Sequence, residues 1–151
     1  MAHLREEEHL RRDAGRLADI FTIMQRSFVL TISKELGRGN VSFPQYFLLG
    51  FLSQQGELTM TEIARQMGHT TAAATGLVDR LEKLGHIKRA TGRDDRRKVL
   101  VTITPSGSRI VREVRDDMVG NILKLMECLE PQEQRSWIQI YEKIIPHFQC
   151  Q

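Results

Sequence analysis

The chain has 151 residues, 40% of them apolar and 27% charged, with a formal net charge of +3 and two cysteines. This length suits one domain with a real core, and Cys128 and Cys150 are too few and too far apart for a disulfide framework or a zinc site. No stretch reaches the ~18 apolar residues of a membrane span and the N-terminus has no signal-peptide core, so no membrane partner and a cytoplasmic location are expected.

The first predicted element is a helix over about 7–36. Leu10, Leu17, Ile20, Phe21, Met24, Phe28 and Ile32 recur at three- and four-residue steps, and Gly37, Gly39 and Asn40 are expected to break it. A second helix starts after Ser42, a candidate N-cap, with Pro44 in its first turn. Gln54, Gln55 and Gly56 close it. Thr59 and Glu62 have capping-box spacing and open a third, short helix that exits at Gly68.

After a turn through His69, Thr70 caps a fourth helix that ends at Gly85. Leu77, Leu81, Leu84, Ala73 and Ala74 are expected on its inner face. Thr71, Ala72, Thr75, Gly76 and Asp79 fall on the outer one. Ile87–Arg89 and Val99–Ile103 read as two strands joined by a charged tip, Gly92–Lys98. Thr104-Pro105-Ser106-Gly107 opens a long helix, expected over 105–129, whose stripe runs through Ile110, Val111, Val114, Met118, Ile122, Leu125 and Leu129. Glu130 and Pro131 restart the chain into a last helix with Trp137, Ile140, Tyr141, Ile144 and Ile145, and Pro146 is expected to end it.

The predicted class is mainly α with a small β-hairpin wing: a winged helix-turn-helix over about 42–104, flanked by helices over about 7–36 and 105–148 in one domain spanning 1–151. The two flanking stripes are too long for the small central motif to cover, so a second copy of the chain is the expected cover. An intrachain bundle is the alternative.

A two-helix motif of this kind sets its second helix in a DNA major groove, N-terminal half against the bases. Thr71 and Thr75 offer hydroxyls and methyls to base edges or phosphates, Ala72 and Gly76 allow close approach, and the helix N-terminus at Thr70 suits a phosphate. No Arg, Asn or Gln lies on that face, so shape and methyl contacts would carry specificity. Asp79 would repel phosphate and fits better as a partner for a nearby arginine. Arg80 could reach a phosphate, or pair with Asp79 or another carboxylate. Arg89, Arg93, Arg96, Arg97 and Lys98 make the hairpin basic. An arginine at such a tip can enter a narrow minor groove if it is aimed, and Asp95 stands two residues before Arg97; a solvated loop is the bland alternative.

The run from Asp79 to Arg89, then Asp95-Arg96-Arg97, then Val101 to Gly107, resembles the MarR family of bacterial transcription regulators. Leu81, Glu82 and Gly85 match its L-E-x-x-G turn, Arg89 its arginine after the first wing strand, Asp95 and Arg97 its D-x-R wing tip, and Thr104 and Gly107 its L-T-x-x-G exit, with Ile103 for the usual leucine. The resemblance implies a winged-helix homodimer on pseudo-palindromic double-stranded DNA, with the fourth helix in the major groove, Arg97 in the minor groove and Asp95 orienting it. It also implies a repressor released by a small aromatic or phenolic effector. Gly76 departs from the larger or basic residue common there.

Phe21, Met24, Tyr46 and Phe47 could wall an effector pocket, with Arg16 as its anion partner, although each also suits an ordinary core. No cofactor or metal is expected: the five histidines show no i,i+4 pairs and there is no Cys-x-x-Cys. No nucleophile elbow, HExxH or phosphate-cradling glycine loop points to an enzyme. A thiol redox sensor is the weaker alternative, with Cys128 expected as a buried small hydrophobe. A protein-interaction module is the stronger one, and the small polar outer face of the fourth helix argues against it, since a protein partner would favour apolar or aromatic anchors.

Overall fold

The computed structural model describes residues 2–92 and 98–149. The element order is α1 (Ala2–Gly39), α2 (Phe43–Gln55), β1 (Glu57–Thr59), α3 (Met60–Gln66), α4 (Thr71–Lys83), β2 (Ile87–Thr91), β3 (Val99–Ile103), α5 (Pro105–Met126) and α6 (Pro131–Gln149). The chain divides into two compact units, Met1–Arg115 and Asp116–Gln151.

In the first unit, α1 runs through Gly37 and Gly39, the residues expected to break it. Its end is made by Asn40, which sits at φ 52°. The Asn40 N–H bonds to the Gly37 carbonyl at 3.2 Å and the Val41 N–H to the Leu36 carbonyl at 3.0 Å. This pairing satisfies the last helical carbonyls, and asparagine tolerates the left-handed turn it needs. Leu36 and Val41, brought together by it, are both buried. The same device closes α3 and α4. Gly68 and Gly85 take positive φ, at 61° and 75°, while His69 N–H bonds to Ala64 O and His86 N–H to Leu81 O, each at 2.9 Å.

Ser42 precedes α2 as expected, and its backbone N–H bonds to Gln45 Oε1 at 2.8 Å. Leu48, Leu49 and Leu52 of α2 are fully buried and form the centre of the core. Around them lie Leu58, Ile63, Val78, Leu81, Ile87, Val101, Ile110 and Val114. On α4 the buried face is Ala74, Val78 and Leu81; Ala73, expected inside, is exposed and Leu77 and Leu84 are half-buried. The outer edge of the small motif leaves room for only three inward positions one helical turn apart.

The sheet has three antiparallel strands in the order β1-β3-β2. β1 was not expected. It pairs Leu58 with Val101 and gives β3 a second neighbour, and three residues are too few to show alternation in a sequence. Reciprocal amide bonds between Gln55 and Gln66, at 3.1 and 2.9 Å, join the end of α2 to the end of α3. α5 starts against the α4–β2 turn. Thr104 Oγ1 donates to Gly85 O at 2.7 Å and accepts from Gly107 N–H at 3.3 Å, while Thr104 N–H bonds to His86 O at 3.0 Å.

In the second unit, α5 ends at Met126 rather than 129 and α6 runs through Pro146 to Gln149. Proline lacks one N–H but its fixed φ suits a helix, and only the closing turn follows it. Gln134 Nε2 donates to the carbonyls of Met126 and Leu129 at 2.9 and 3.1 Å, which caps α5. Cys128 therefore lies in the turn, and in the single chain it is exposed rather than buried.

A Cβ at Gly107 would collide with the His86 carbonyl and lie 2.9 Å from Ile103 Cγ1 and 3.1 Å from Leu49 Cδ2, whereas one at Gly76 meets nothing. Urea denaturation of Gly107→Ala is expected to show a loss of about 1–3 kcal/mol. Gly76→Ala, at an open helical position, is expected to gain about 0.5–1 kcal/mol.

Candidate nucleic-acid interface

The candidate surface begins with how α3 and α4 are capped. Thr59 N–H and Oγ1 each donate to Glu62 Oε2 at 2.7 Å, and Glu62 N–H returns a bond to Thr59 Oγ1 at 3.3 Å. The backbone N–H of Thr59, then its hydroxyl, hold the Glu62 carboxyl below the usual carboxylate range. Thr70 Oγ1 accepts from Ala73 N–H at 3.3 Å, so its hydroxyl is already employed as the N-cap of α4.

Past that cap, Thr71, Ala72 and Gly76 are exposed and Thr75 is half-buried. Thr75 Oγ1 donates to Thr71 O at 2.8 Å, which leaves its lone pairs to accept. The N-terminal half of α4 thus presents small side chains and no carboxylate to the outside.

Behind this face α4 is fastened to the hairpin. Arg89 on β2 places Nη2 2.5 Å from Asp79 Oδ1 and Nη1 2.5 Å from Glu82 Oε2. Its backbone N–H also bonds to Glu82 Oε1 at 3.3 Å. Desolvation alone would lower the guanidinium pKa; hydrogen bonds to Asp79 and then Glu82 outweigh it and raise the value. Arginine suits this job because its planar fork can serve two carboxylates at once. Asp79 does pair with an arginine, but with Arg89 across the motif rather than its neighbour Arg80. Sequence alone places Glu82 only within the L-E-x-x-G turn and does not predict its pairing with Arg89; its place three residues after Asp79, on the same helix face, is a further signal.

Arg80 is exposed and edges a concavity of about 400 Å³ shared with Asn40, Ser42 and Gln45. Lys98 is exposed at the base of the hairpin, where its carbonyl accepts the Gly92 N–H at 2.8 Å. Asp95, Arg96 and Arg97, with Arg93, lie outside the described residues.

The candidate effector residues lie on α1 and α2. Phe21 and Met24 edge a groove of about 290 Å³ formed by α1 alone. Tyr46 and Phe47 of α2 pack on each other at 6.0 Å between ring centres, and burial pushes the Tyr46 phenol pKa up. Arg16 is exposed and sits 3.7 Å from Asp13. Among the described residues no group of three or more His, Cys, Asp or Glu side chains could hold a metal, and no helix is long and apolar enough to cross a membrane.

A model described as the MarR family matches residues 40–98. The uncharacterized HTH-type transcriptional regulator YfiV of Bacillus subtilis (strain 168) is 35% identical over 103 residues, covering 68% of this chain and 62% of that protein. The organic hydroperoxide resistance transcriptional regulator of the same strain is 31% identical over 90 residues, 60% of each chain. The matched segment thus spans under two thirds of either relative's length. Among solved structures, the crystal structure of YusO from B. subtilis superposes with a TM-score of 0.73 at 25% identity, covering 86% of this chain and 94% of that one. The MepR–DNA complex of S. aureus has the same fold, with a TM-score of 0.72 at 21% identity over 87% of this chain and 98% of that one.

Two outcomes follow from the geometry. Arg89→Ala is expected to cost about 1–2 kcal/mol in urea denaturation, because its charge-assisted bonds are strong but the carboxylates stay partly exposed; a double-mutant cycle with Asp79→Asn should show the coupling. The depressed folded-state pKa of Glu62 adds stability that is full above the unfolded carboxylate pKa of about 4.3. That stability is lost as pH falls through the folded value. Glu62→Gln is expected to flatten this acid limb in unfolding curves taken across pH.

Proposed function

This chain belongs to the MarR family, and from that membership we propose that it is a homodimeric regulator of transcription that binds double-stranded DNA by sequence. The observation that carries the reading is the exposed N-terminal half of α4, small and free of carboxylate, on a helix whose far half is ion-paired to the hairpin. MepR, which shares the fold, is described on DNA. Thr71, Ala72, Thr75 and Gly76 would face bases, with Thr70 at the N-terminal turn beside a phosphate. Arg80, Arg96 and Lys98 would neutralise phosphates, and Arg97, oriented by Asp95, would enter the minor groove. Arg89 acts in this reading by holding the hairpin to α4 rather than by touching DNA. A DNA partner places the working protein in the cytoplasm.

Dimerisation is supported by apolar surface that a soluble monomer rarely leaves open. On α1, Leu10, Leu17, Ile20, Ile23 and Leu30 are all at least 50% exposed. In the second unit, Val119, Leu123, Ile140 and Phe148 are at least 52% exposed. Repression released by a small aromatic or phenolic effector belongs to the same reading and is supported by the family resemblance and the α1 groove at Phe21 and Met24.

Selection of the purified protein against a random duplex pool tests the reading. The expected product is an inverted repeat with half-sites about one turn, ~34–36 Å, apart, with affinity falling steeply in salt. Arg97→Ala should bind that duplex more weakly and lose preference at the flanking positions. An unenriched pool at low salt would replace the DNA reading with the protein-interaction module.

A further inference from the structure

We propose that the cleft where α1 ends, α2 begins and α4 passes seats one backbone phosphate of the DNA, on the major-groove wall opposite the hairpin. The seat rests on the DNA reading of the chain and adds a second grip on the duplex. The cleft encloses about 400 Å³. Asn40, Ser42, Gln45 and Arg80 are its polar lining, and buried Leu36 and Val41 its apolar part.

The capping of α2 decides which end of Gln45 is left for an occupant. Gln45 is 7% exposed, and its Oε1 accepts the Ser42 N–H at 2.8 Å. A backbone N–H can be met only by the carbonyl end of the amide, so the orientation of this side chain is fixed. Nε2 has no hydrogen-bond partner among the described residues, and it is not among the partnerless atoms sealed from solvent. Gln45 lines the cleft, so a buried side chain holds an unused donor there.

The charge around that donor has one sign. The Arg80 side chain is exposed and makes no ion pair or hydrogen bond with the described residues. Asn40 and Ser42 are exposed and can donate as well. The first turn of α2 adds the partial positive charge of a helix N-terminus. Among the described residues no carboxylate lines the cleft. Asp79, next to Arg80 in sequence, is held on the hairpin side by Arg89.

The dimensions of a duplex suit a phosphate at this place. A helix with its side chains is ~10–12 Å across and the major groove is ~12 Å wide. A helix that fills the groove therefore brings both phosphate walls against the elements on its two flanks. At ~100° per residue, Arg80 and Glu82 project about 160° apart around α4, and Glu82 is tied to the hairpin through Arg89. Ala72 and Gly76, both exposed, fall on the arc between them. The hairpin then serves one wall and the Arg80 cleft the other, with the small residues of α4 facing bases between the two. Because Asn40 ends α1 and Arg80 belongs to α4, the seated phosphate also ties α4 to the helix that carries the open apolar stripe.

The test measures affinity for the duplex recovered by selection, by fluorescence anisotropy across a salt series, with the full chain. Gln45→Glu keeps an acceptor for the Ser42 N–H, as glutamate does in a capping box, but turns a carboxylate to the cleft. It is expected to weaken binding by about tenfold or more, since a like charge would face the phosphate. Arg80→Gln is expected to lower the slope of log affinity against log salt by about 0.9, one phosphate contact. Arg112→Gln, exposed on α5 and outside the cleft, should bind as the parent does. Thermal unfolding confirms that each variant is folded. Methylphosphonate placed at single positions then removes one phosphate charge at a time. One position in each half-site should weaken the parent and leave Arg80→Gln unchanged, the coupling expected of a direct contact. Parental binding by both Gln45→Glu and Arg80→Gln overturns the seat and leaves the DNA reading standing. A map in which Arg80→Gln responds as the parent does at every position assigns the cleft to a free anion and also overturns the proposal. A selection that enriches no duplex overturns the seat and the DNA reading together.

Discussion

The ion-paired mount between α4 and β2 is the constraint on which the candidate surface depends. A two-stranded hairpin of five-residue strands is marginal by itself, and a 13-residue helix gains most of its stability from packing. Here each supports the other. Arg89 bridges Asp79 and Glu82, while Val78 and Leu81 on the inner face of the same helix join the core under the sheet. The geometry leaves the N-terminal half of α4 free of acidic side chains and spends its carboxylates at the far end. On the proposed DNA surface the helix is then not opposed by its own charge.

Helix endings route the chain as much as the core does. Asn40, Gly68 and Gly85 each adopt positive φ just after a helix, and in each case the following N–H reaches back to a carbonyl one turn inside. The turn at Gly85 does most. It sets Gly85 O against Thr104 Oγ1 and His86 O against Thr104 N–H, so the start of α5 is fixed to the end of α4. The close approach at Gly107 completes that joint. The same joint turns His86 toward Ser106.

The apolar surface divides into two kinds. The residues facing the α2 leucines are sealed, and they suffice for a compact first unit. Between Leu10 and Leu30 the stripe on α1 is largely uncovered, with Phe28 and, just beyond, Ile32 half-buried. A long amphipathic helix with an open apolar stripe has the surface of an interface, and a second copy of the same chain supplies a matching stripe by symmetry.

What the sequence determined by itself was local. The N-caps at Ser42 and Thr70, the capping box at Thr59, the turn at Gly85 and the alternation over 99–103 depend on neighbours within four residues, and each is where spacing put it. The D-R-L-E-K-L-G run carried the family for the same reason, as closely spaced residues with one structural job. Only the tertiary structure decided the rest. β1 exists because β3 is there to pair with it. α1 survives Gly37 and Gly39 because a glycine costs only about 1 kcal/mol in a helix, and α6 carries Pro146 without the one bond its missing N–H would have made. The partner of Asp79 was beyond local reading, since Arg89 is ten residues away and meets it only after the α4–β2 turn reverses the chain. So was the pairing of His86 with Ser106, twenty residues apart. Pairings at such separations have no periodicity to betray them; they exist only when packing has closed the intervening loop.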